Sequence, residues 1–365
     1  MNRKITLLGA GNMGYVLATK FSQKNDVCVY LNEVERELPF SEKIKVHCED
    51  NGTIYKSDIK LITTDLKKAL EFGDYIFITY PAFLFERYSK ELLPLLSKKH
   101  HLFFVPGSGG ADLWFKPAVD KGVTITGLQR VHSVARIVEP GALAKESGIR
   151  KGLKAASIPN SYNKEACAIL SELYSLPVEP LDNYLNVTLI NSNPILHTAR
   201  LFSIFHDYPN RIMEYDSLPL FYEEWDMETS LLLNKMDNEL FDLINHLKKH
   251  GLNINQIVPL LEHYESKNEE QMVKKLRSIK SLQGLTTPSI KNENNKLIPD
   301  LKSRYFTADF PYGLDILISF CKYFGSPCDS MIMVSNWYHG VVGDETKFNL
   351  CNFFKNEEDM IKYYK

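Results

Sequence analysis

The chain has no long apolar run. Its longest apolar stretches fall well short of the roughly eighteen residues a membrane-crossing helix needs. It has no long basic run either. Forty-three Lys and Arg stand against 45 Asp and Glu, for a formal net charge of −2. Neither nucleic acid nor an anionic membrane is therefore expected as a main partner. Its six cysteines include no C-x-x-C pair, which argues against a disulfide frame and a zinc site and for reduced thiols. The N-terminus enters a strand pattern at once and shows no secretory leader, so a cytoplasmic location is expected. No spacing of His, Cys and carboxylates reads as a metal site.

What is present is a chain of 365 residues, too long for one ordinary core and suited to two domains. The first is organised by its opening residues. Lys4-Ile5-Thr6-Leu7-Leu8 reads as a buried strand, Gly9-Ala10-Gly11-Asn12-Met13-Gly14 follows, and Tyr15 to Phe21 takes up helical spacing. Strand, G-x-G-x-x-G turn and helix together are the context of dinucleotide binding. Gly9 permits the tight turn, Gly11 lets backbone approach a pyrophosphate, and Gly14 permits close packing. The helix start offers free N–H groups and a positive dipole end to the phosphates. A second strand, Val27 to Leu31, arrives on schedule and ends at Asn32, where a ribose-reading side chain belongs. Glu33 there disfavours a 2′-phosphate and Arg36 favours one. The cofactor is expected to be NAD or NADP, with a lean to NAD.

Further β-type runs follow. Residues 41–64 suggest a hairpin-like insertion and then a strand. Asp74 to Thr79 ends in the loop Tyr80-Pro81, which should face the cofactor. His101 to Val105 ends in Pro106-Gly107-Ser108-Gly109-Gly110. Val123–Gly127, Val131–Arg136 and Leu153–Ile158 read as strands, and Asn163–Leu173 as a closing helix. This alternation predicts an α/β Rossmann-type doubly wound sheet over 1–180. From about residue 181 amphipathic helical periods take over. Thr229–Lys249, Asn255–Tyr264 and Glu269–Ser278 read as helices, the polar stretch 284–303 as a loop, and helix resumes after Asp309. An all-α C-terminal domain over 181–365 is expected, and such a domain can pack on a second copy as a homodimer.

Two stretches in the helical half could carry chemistry. In Asn191-Ser192-Asn193-Pro194-Ile195-Leu196-His197, Asn193 suits a cap and Pro194 a first turn, which fixes His197 about one turn in. In Arg304-Tyr305-Phe306-Thr307-Ala308-Asp309-Phe310-Pro311-Tyr312-Gly313-Leu314, an arginine and an aspartate stand five apart. Each has a bland reading. A lone histidine is more often structural, and Arg304 and Asp309 could pair or cap helices. In the first domain, Gln129, His132 and Arg136 lie in a segment expected to face the cleft between the domains.

These elements resemble the octopine/nopaline-type opine dehydrogenases. The likeness rests on the Gly9–Gly14 turn, the Pro106–Gly110 loop, the Asn193–His197 element and the Arg304…Asp309-Phe310-Pro311-Tyr312-Gly313-Leu314 signature. It extends over nearly the whole chain. It implies an enzyme that condenses an α-keto acid with the amino group of an amino acid and reduces the imine with NAD(P)H. It further implies proton transfer by His197, Asp309 as its partner, a carboxylate clamp at Arg304, and help from Asn193 in orienting substrate. One departure is Ala308, where the family often carries an acidic residue. Partners are then small molecules. The rival readings are a ketopantoate or β-hydroxyacid type of carbonyl reductase, which would use a lysine where His197 stands, and a cofactor-binding sensor without turnover.

Overall fold

Short apolar, β-branched runs become parallel strands here because both faces of their sheet are covered by helices. A computed structural model describes residues 2–37 and 39–365. The chain divides into two units, Met1–Thr188 with Tyr364–Lys365, and Leu189–Tyr363. The division falls at Thr188/Leu189 rather than at 180/181. The reason is packing. Tyr184 is fully buried and donates its hydroxyl to the Gly107 carbonyl, and Thr188 donates to the buried Asp112 carboxylate at 2.7 Å. The last two residues return to this unit, where Tyr364 also bonds Asp112 through its hydroxyl.

Among its described residues the first unit holds twelve strands: β1 (Lys4–Leu8), β2 (Asp26–Tyr30), β3 (Lys45–Cys48), β4 (Ile54–Lys56), β5 (Leu61–Thr63), β6 (Tyr75–Ile78), β7 (His101–Phe104), β8 (Thr124–Leu128), β9 (Val134–Glu139), β10 (Leu143–Ser147), β11 (Leu153–Ile158) and β12 (Val178–Pro180). Eight form the main sheet in the order β12-β11-β8-β7-β6-β1-β2-β5. All pairings are parallel except β8 with β11. The direction of winding reverses between β1 and β6, so the loops after these strands form the switch point where such sheets take ligands. Phe77 and Phe103 stack in the core with ring centroids 4.8 Å apart, and Phe21 of helix α1 (Asn12–Phe21) meets Phe77 edge-on. Each buried phenyl contributes roughly 1.5–3 kcal/mol.

A second sheet, β4-β3-β10-β9, lies alongside. The hairpin expected in 41–64 is β3–β4, paired antiparallel. β10 was not legible. Its Lys145-Glu146 reads as surface, yet Glu146 is buried against a lysine from α1.

In the second unit the main helices are α2 (Ser192–Phe205), α3 (Met227–Lys249), α4 (Glu269–Ser278), α5 (Asp315–Tyr323) and α6 (Asp329–Val342). Asp226 caps α3 by accepting from the Thr229 N–H at 2.7 Å. The inward stripe of α3 is Leu233, Met236, Leu240, Leu243, Ile244 and Leu247, and Leu231 faces outward. Of the helix expected over 255–264, only Leu260–His263 is helical, because Pro259 can only begin it. The stretch read as a loop contains a hairpin, β13 (Ser289–Lys291) with β14 (Leu297–Pro299). Its asparagine patch makes the turn: Asn292 Oδ1 accepts from the N–H groups of Asn294 and Lys296, and Asn295 takes a left-handed φ of 59°. Among the described residues no helix is long and apolar enough to cross a membrane.

Candidate active site

The glycine turn in the first unit is built for an approaching phosphate. Gly9 has φ of +114°, and a Cβ there would stand 2.4 Å from Thr79 Oγ1. A Cβ at Gly14 would lie 2.0 Å from the Gly9 carbonyl oxygen, so Gly14 closes the turn on itself. Gly11 has nothing within 4 Å of its Cβ position and is exposed. Open space at the middle glycine, and crowding at the outer two, is what a pyrophosphate cradle requires. The first intrahelical bond of α1 runs from the Tyr15 N–H to the Gly11 carbonyl. The N–H groups of Asn12, Met13 and Gly14 therefore have no partner within the helix, and no side chain caps it. The Asn12 side chain is itself occupied, accepting from the Ile137 N–H at 2.8 Å. Beside the turn, Thr79 donates to the Gly9 carbonyl at 3.1 Å, Tyr80 is buried against Gly9 and stacked on Tyr88, and Pro81 is exposed.

Asn32 does not present its amide oxygen to a ribose. That oxygen accepts from the Val34 and Glu35 N–H groups at 3.0 and 2.9 Å, making a local turn. The acidic group at this place is Glu35. Its carboxylate accepts from the Ala10 N–H at 2.5 Å and the Asn32 N–H at 3.1 Å, and burial raises its pKa against those two bonds. Sequence reasoning passed over it because it stands three residues beyond the expected position. A loop that turns back through Asn32 is the signal that would have found it.

Of the three residues expected to meet substrate in the first unit, His132 and Gln129 are engaged elsewhere. His132 is completely buried, with Nε2 at 2.6 Å from Glu146 Oε1. Glu146 also binds Lys20 Nζ at 3.0 Å and the Ser133 hydroxyl at 2.8 Å. This cluster ties α1 to the second sheet, so His132 is structural. Gln129 donates its amide to the Asn186 carbonyl at 2.8 Å. Arg136 is exposed and bonds the carbonyl of its neighbour Ala135.

In the second unit the two signature stretches pack directly on each other. Asp309 precedes a single π-helical turn, Phe310–Leu314, closed by the Leu314 N–H on the Asp309 carbonyl at 2.8 Å. Such turns are frequent at functional sites. Phe310 stacks on Tyr338 with centroids 4.3 Å apart, which anchors the turn. A Cβ at Gly313 would stand 3.0 Å from Pro194 Cγ. Glycine there and proline in the first turn of α2 thus let the π-turn press against the helix that carries His197. The helix begins at Ser192, with Asn191 at its cap. Asn193 is inside the first turn and exposed, not at the cap. Asn191 holds the start of the helix in place by donating to Asp237 Oδ1 at 2.8 Å and to the Val258 carbonyl at 3.0 Å. Asp237 is itself buried, which pushes its carboxyl up to about 6.

The result is a dyad: His197 Nδ1 stands 2.8 Å from Asp309 Oδ2. Arg304 is on the surface at the start of the short helix Arg304–Thr307, and its guanidinium makes no ion pair or hydrogen bond among the described residues. Asp309 is therefore not paired with Arg304, and the guanidinium is free to take an anion. Around the imidazole stand Phe221, Tyr222 and Tyr305, with Tyr305 closest at 4.6 Å between centroids. The second ring nitrogen, Nε2, is 2.9 Å from the Tyr222 hydroxyl. Tyr222 was not legible in sequence, since no motif surrounds it.

A nucleotide-type α/β unit and a helical unit with a His–Asp dyad define an NAD(P)-dependent oxidoreductase. The comparisons agree. Residues 4–140 match the model of the NAD-dependent glycerol-3-phosphate dehydrogenase N-terminus, and residues 180–342 match that of the NAD/NADP octopine/nopaline dehydrogenase α-helical domain. The tauropine dehydrogenase of Arabella iricolor is 24% identical over 93% of this chain and 92% of its own length. The octopine dehydrogenase of Pecten maximus is 24% identical over 94% and 92%. The structure of an octopine dehydrogenase with NADH and L-arginine superposes with a TM-score of 0.83 at 23% identity, over 94% of this chain and 90% of that one. The chain is thus similar to the octopine/nopaline dehydrogenases along most of its length, with their α-helical domain over residues 180–342.

Proposed function

We propose that the protein catalyses the reductive condensation of an α-keto acid such as pyruvate with the amino group of an amino acid, an opine dehydrogenase reaction. The observation that carries this reading is the His197–Asp309 contact, with an exposed, unpaired Arg304 guanidinium five residues before Asp309. Condensation needs a group that takes and returns a proton near neutral pH, and imidazole is the side chain suited to that. Asp309 accepts the Nδ1 proton, which fixes the tautomer and stabilises the imidazolium that forms at turnover. Arg304 offers a planar fork to a substrate carboxylate. Asn193, exposed one turn before His197, is a second polar contact for substrate. The cofactor is held by the Gly9–Gly14 turn and its N–H groups, with Tyr80 and Pro81 at the neighbouring loop, and supplies the hydride when bound. Glu35 gives the adenosine side a carboxylate, which favours NAD over NADP because a 2′-phosphate would meet like charge. The reaction belongs in the cytoplasm, with small molecules as partners. A homodimer through the helical unit is the assembly that sizing would test.

The deciding experiment measures NADH and NADPH oxidation by purified protein with pyruvate, with and without pooled amino acids. Oxidation that requires both establishes condensation, and splitting the pool then names the amine. Oxidation with keto acid alone would make the enzyme a carbonyl reductase instead.

A further inference from the structure

Both nitrogens of His197 are occupied. Asp309 takes Nδ1 and the Tyr222 hydroxyl takes Nε2. A histidine that exchanges protons with substrate must do so at Nε2, because Nδ1 is committed to a carboxylate. Either Tyr222 leaves or the proton passes through it.

Tyr222 is held too firmly to leave. Only 6% of it is exposed, and its ring stacks on Trp225 and meets Phe221 edge-on. The segment that carries it is fixed by Arg200, three residues after His197 on α2 and 1% exposed. Arg200 uses all five N–H groups. Nε donates to the Phe221 carbonyl at 3.0 Å, and Nη2 to the Glu224 and Leu220 carbonyls at 2.8 and 3.3 Å. Nη1 donates to the Asp226 carboxylate and to Thr229 Oγ1. The guanidinium also lies over the Trp225 ring, 5.3 Å from its centroid. One helix thus carries the imidazole and, through a five-point clamp, the phenol opposite it. Removing one side of a buried charged network of this kind is costly, so the pair behaves as a rigid unit.

We propose that Tyr222 is a proton relay between His197 Nε2 and the reacting substrate. The inference rests on the condensation reading above and deepens it. In the dehydration step the imidazolium donates Nε2–H to the Tyr222 oxygen, and the Tyr222 O–H donates to the hydroxyl of the carbinolamine. The Tyr222 proton moves to that oxygen, the C–O bond breaks, and water leaves. The nitrogen lone pair forms C=N, and the Nε2 proton refills Tyr222. The products are water, an iminium ion and neutral His197 with its proton on Nδ1. Charge balances, since one cation is replaced by another. The reverse movement takes one proton from the ammonium form of the amine before it attacks the ketone, and a second nitrogen proton passes to the new oxygen, so a neutral carbinolamine meets the imidazolium. Burial holds the Tyr222 phenol well above its ordinary range, so it passes a proton without resting as a phenolate. Both oxygen functions of a hydroxyl, donor and acceptor, are required, and phenylalanine supplies neither.

The test uses Tyr222→Phe and the wild type, once the keto acid and amine that support NADH oxidation are known. The relay predicts that kcat of Tyr222→Phe falls by about 10²-fold, with KM for NADH unchanged. It also predicts a curved proton inventory in mixed H₂O and D₂O for the wild type, because two protons move together, and a straight line for the variant. A fall in kcat with curvature retained would overturn the relay and leave Tyr222 a positioning residue. Unchanged or faster turnover would overturn it as well and make the hydroxyl an occluder that substrate displaces. Thermal unfolding of Tyr222→Phe separates a folding defect from either result. If the wild type needs no amine for oxidation, the condensation reading fails first. The proton inventory on the keto acid alone then still reports whether the hydroxyl carries the proton.

Discussion

Asp309→Asn is the substitution that tests the dyad most sharply, because it keeps the shape of the side chain and removes its charge. Asp309 Oδ2 lies 2.8 Å from Nδ1, and both side chains are mostly buried, at 17% and 13% exposed. A hydrogen bond to a charged group in such a place contributes about 1.5–3 kcal/mol. With each 1.36 kcal/mol worth tenfold in rate, losing the charge alone lowers kcat by about 10- to 150-fold. The amide has a second option. If its carbonyl faces Nδ1–H, the tautomer survives and the loss stops there. If its NH₂ faces the ring, Nδ1 must accept, the proton moves to Nε2, and the hydrogen bond from Tyr222 is turned around. Tautomer inversion in a histidine–carboxylate pair brings the total to about 10³–10⁴. The assay is steady-state NADH oxidation with keto acid and amine, beside direct titration of NADH binding. The expected result is unchanged NADH affinity with kcat reduced within these limits. Turnover within about threefold of the wild type would refute the reasoning, since the charge would then do nothing in the rate-limiting step. Full activity in Asp309→Glu with loss in Asp309→Asn would assign the effect to charge.

Arg304→Lys replaces a fork with a point charge and should raise KM for the carboxylate substrate by about tenfold while leaving cofactor binding intact, as separate titrations would show. A defect confined to NADH binding would remove Arg304 from the substrate. Glu35→Gln keeps an acceptor for the Ala10 N–H but discharges the site, so the ratio of kcat/KM for NADPH over NADH should rise by about 10-fold or more. An unchanged ratio would mean that Glu35 only shapes the loop. His339 offers a stability test away from the site. Its Nε2 lies 2.8 Å from Asp315 Oδ2 and its Nδ1 meets the Asp344 carbonyl, so both nitrogens donate. The hydrogen bond to Asp315 raises the His339 pKa above its ordinary value. The stability this group adds is complete below the unfolded pKa of about 6.5 and is lost as pH rises through the higher folded value. Tm should fall as buffer passes from neutral to mildly alkaline, and His339→Gln should be less stable than the wild type at pH about 6 and flatten that fall. A parallel decline in both proteins would show that His339 carries no proton when folded.

What the sequence displays is whatever is written in consecutive residues. The glycine turn was legible because its three glycines answer three steric demands within six positions, and the structure meets each of them at Gly9, Gly11 and Gly14. Pro194 and Gly313 were legible as motif members, yet their reason is a contact between two segments, the proline ring against the missing Cβ. Failures follow the same line. Glu146 looks like a surface charge until Lys20 and His132 reach it from 126 and 14 residues away. His132 looked available for the same reason, because nothing near it in sequence announces burial. Asn32 stood at the right distance from Gly14, but its side-chain oxygen is taken by the Val34 and Glu35 N–H groups, and the carboxylate that reaches the glycine turn is that of Glu35, on the Ala10 N–H. Tyr222 is the strongest case. Its role depends on Arg200, a residue with no signature, whose five bonds reach carbonyls 20 to 24 residues on and side chains at 226 and 229. A catalytic residue held by a backbone-directed clamp leaves no pattern in its own neighbourhood. The signal is the arginine, which must spend its charge on backbone carbonyls only where the chain beyond them needs to be fixed.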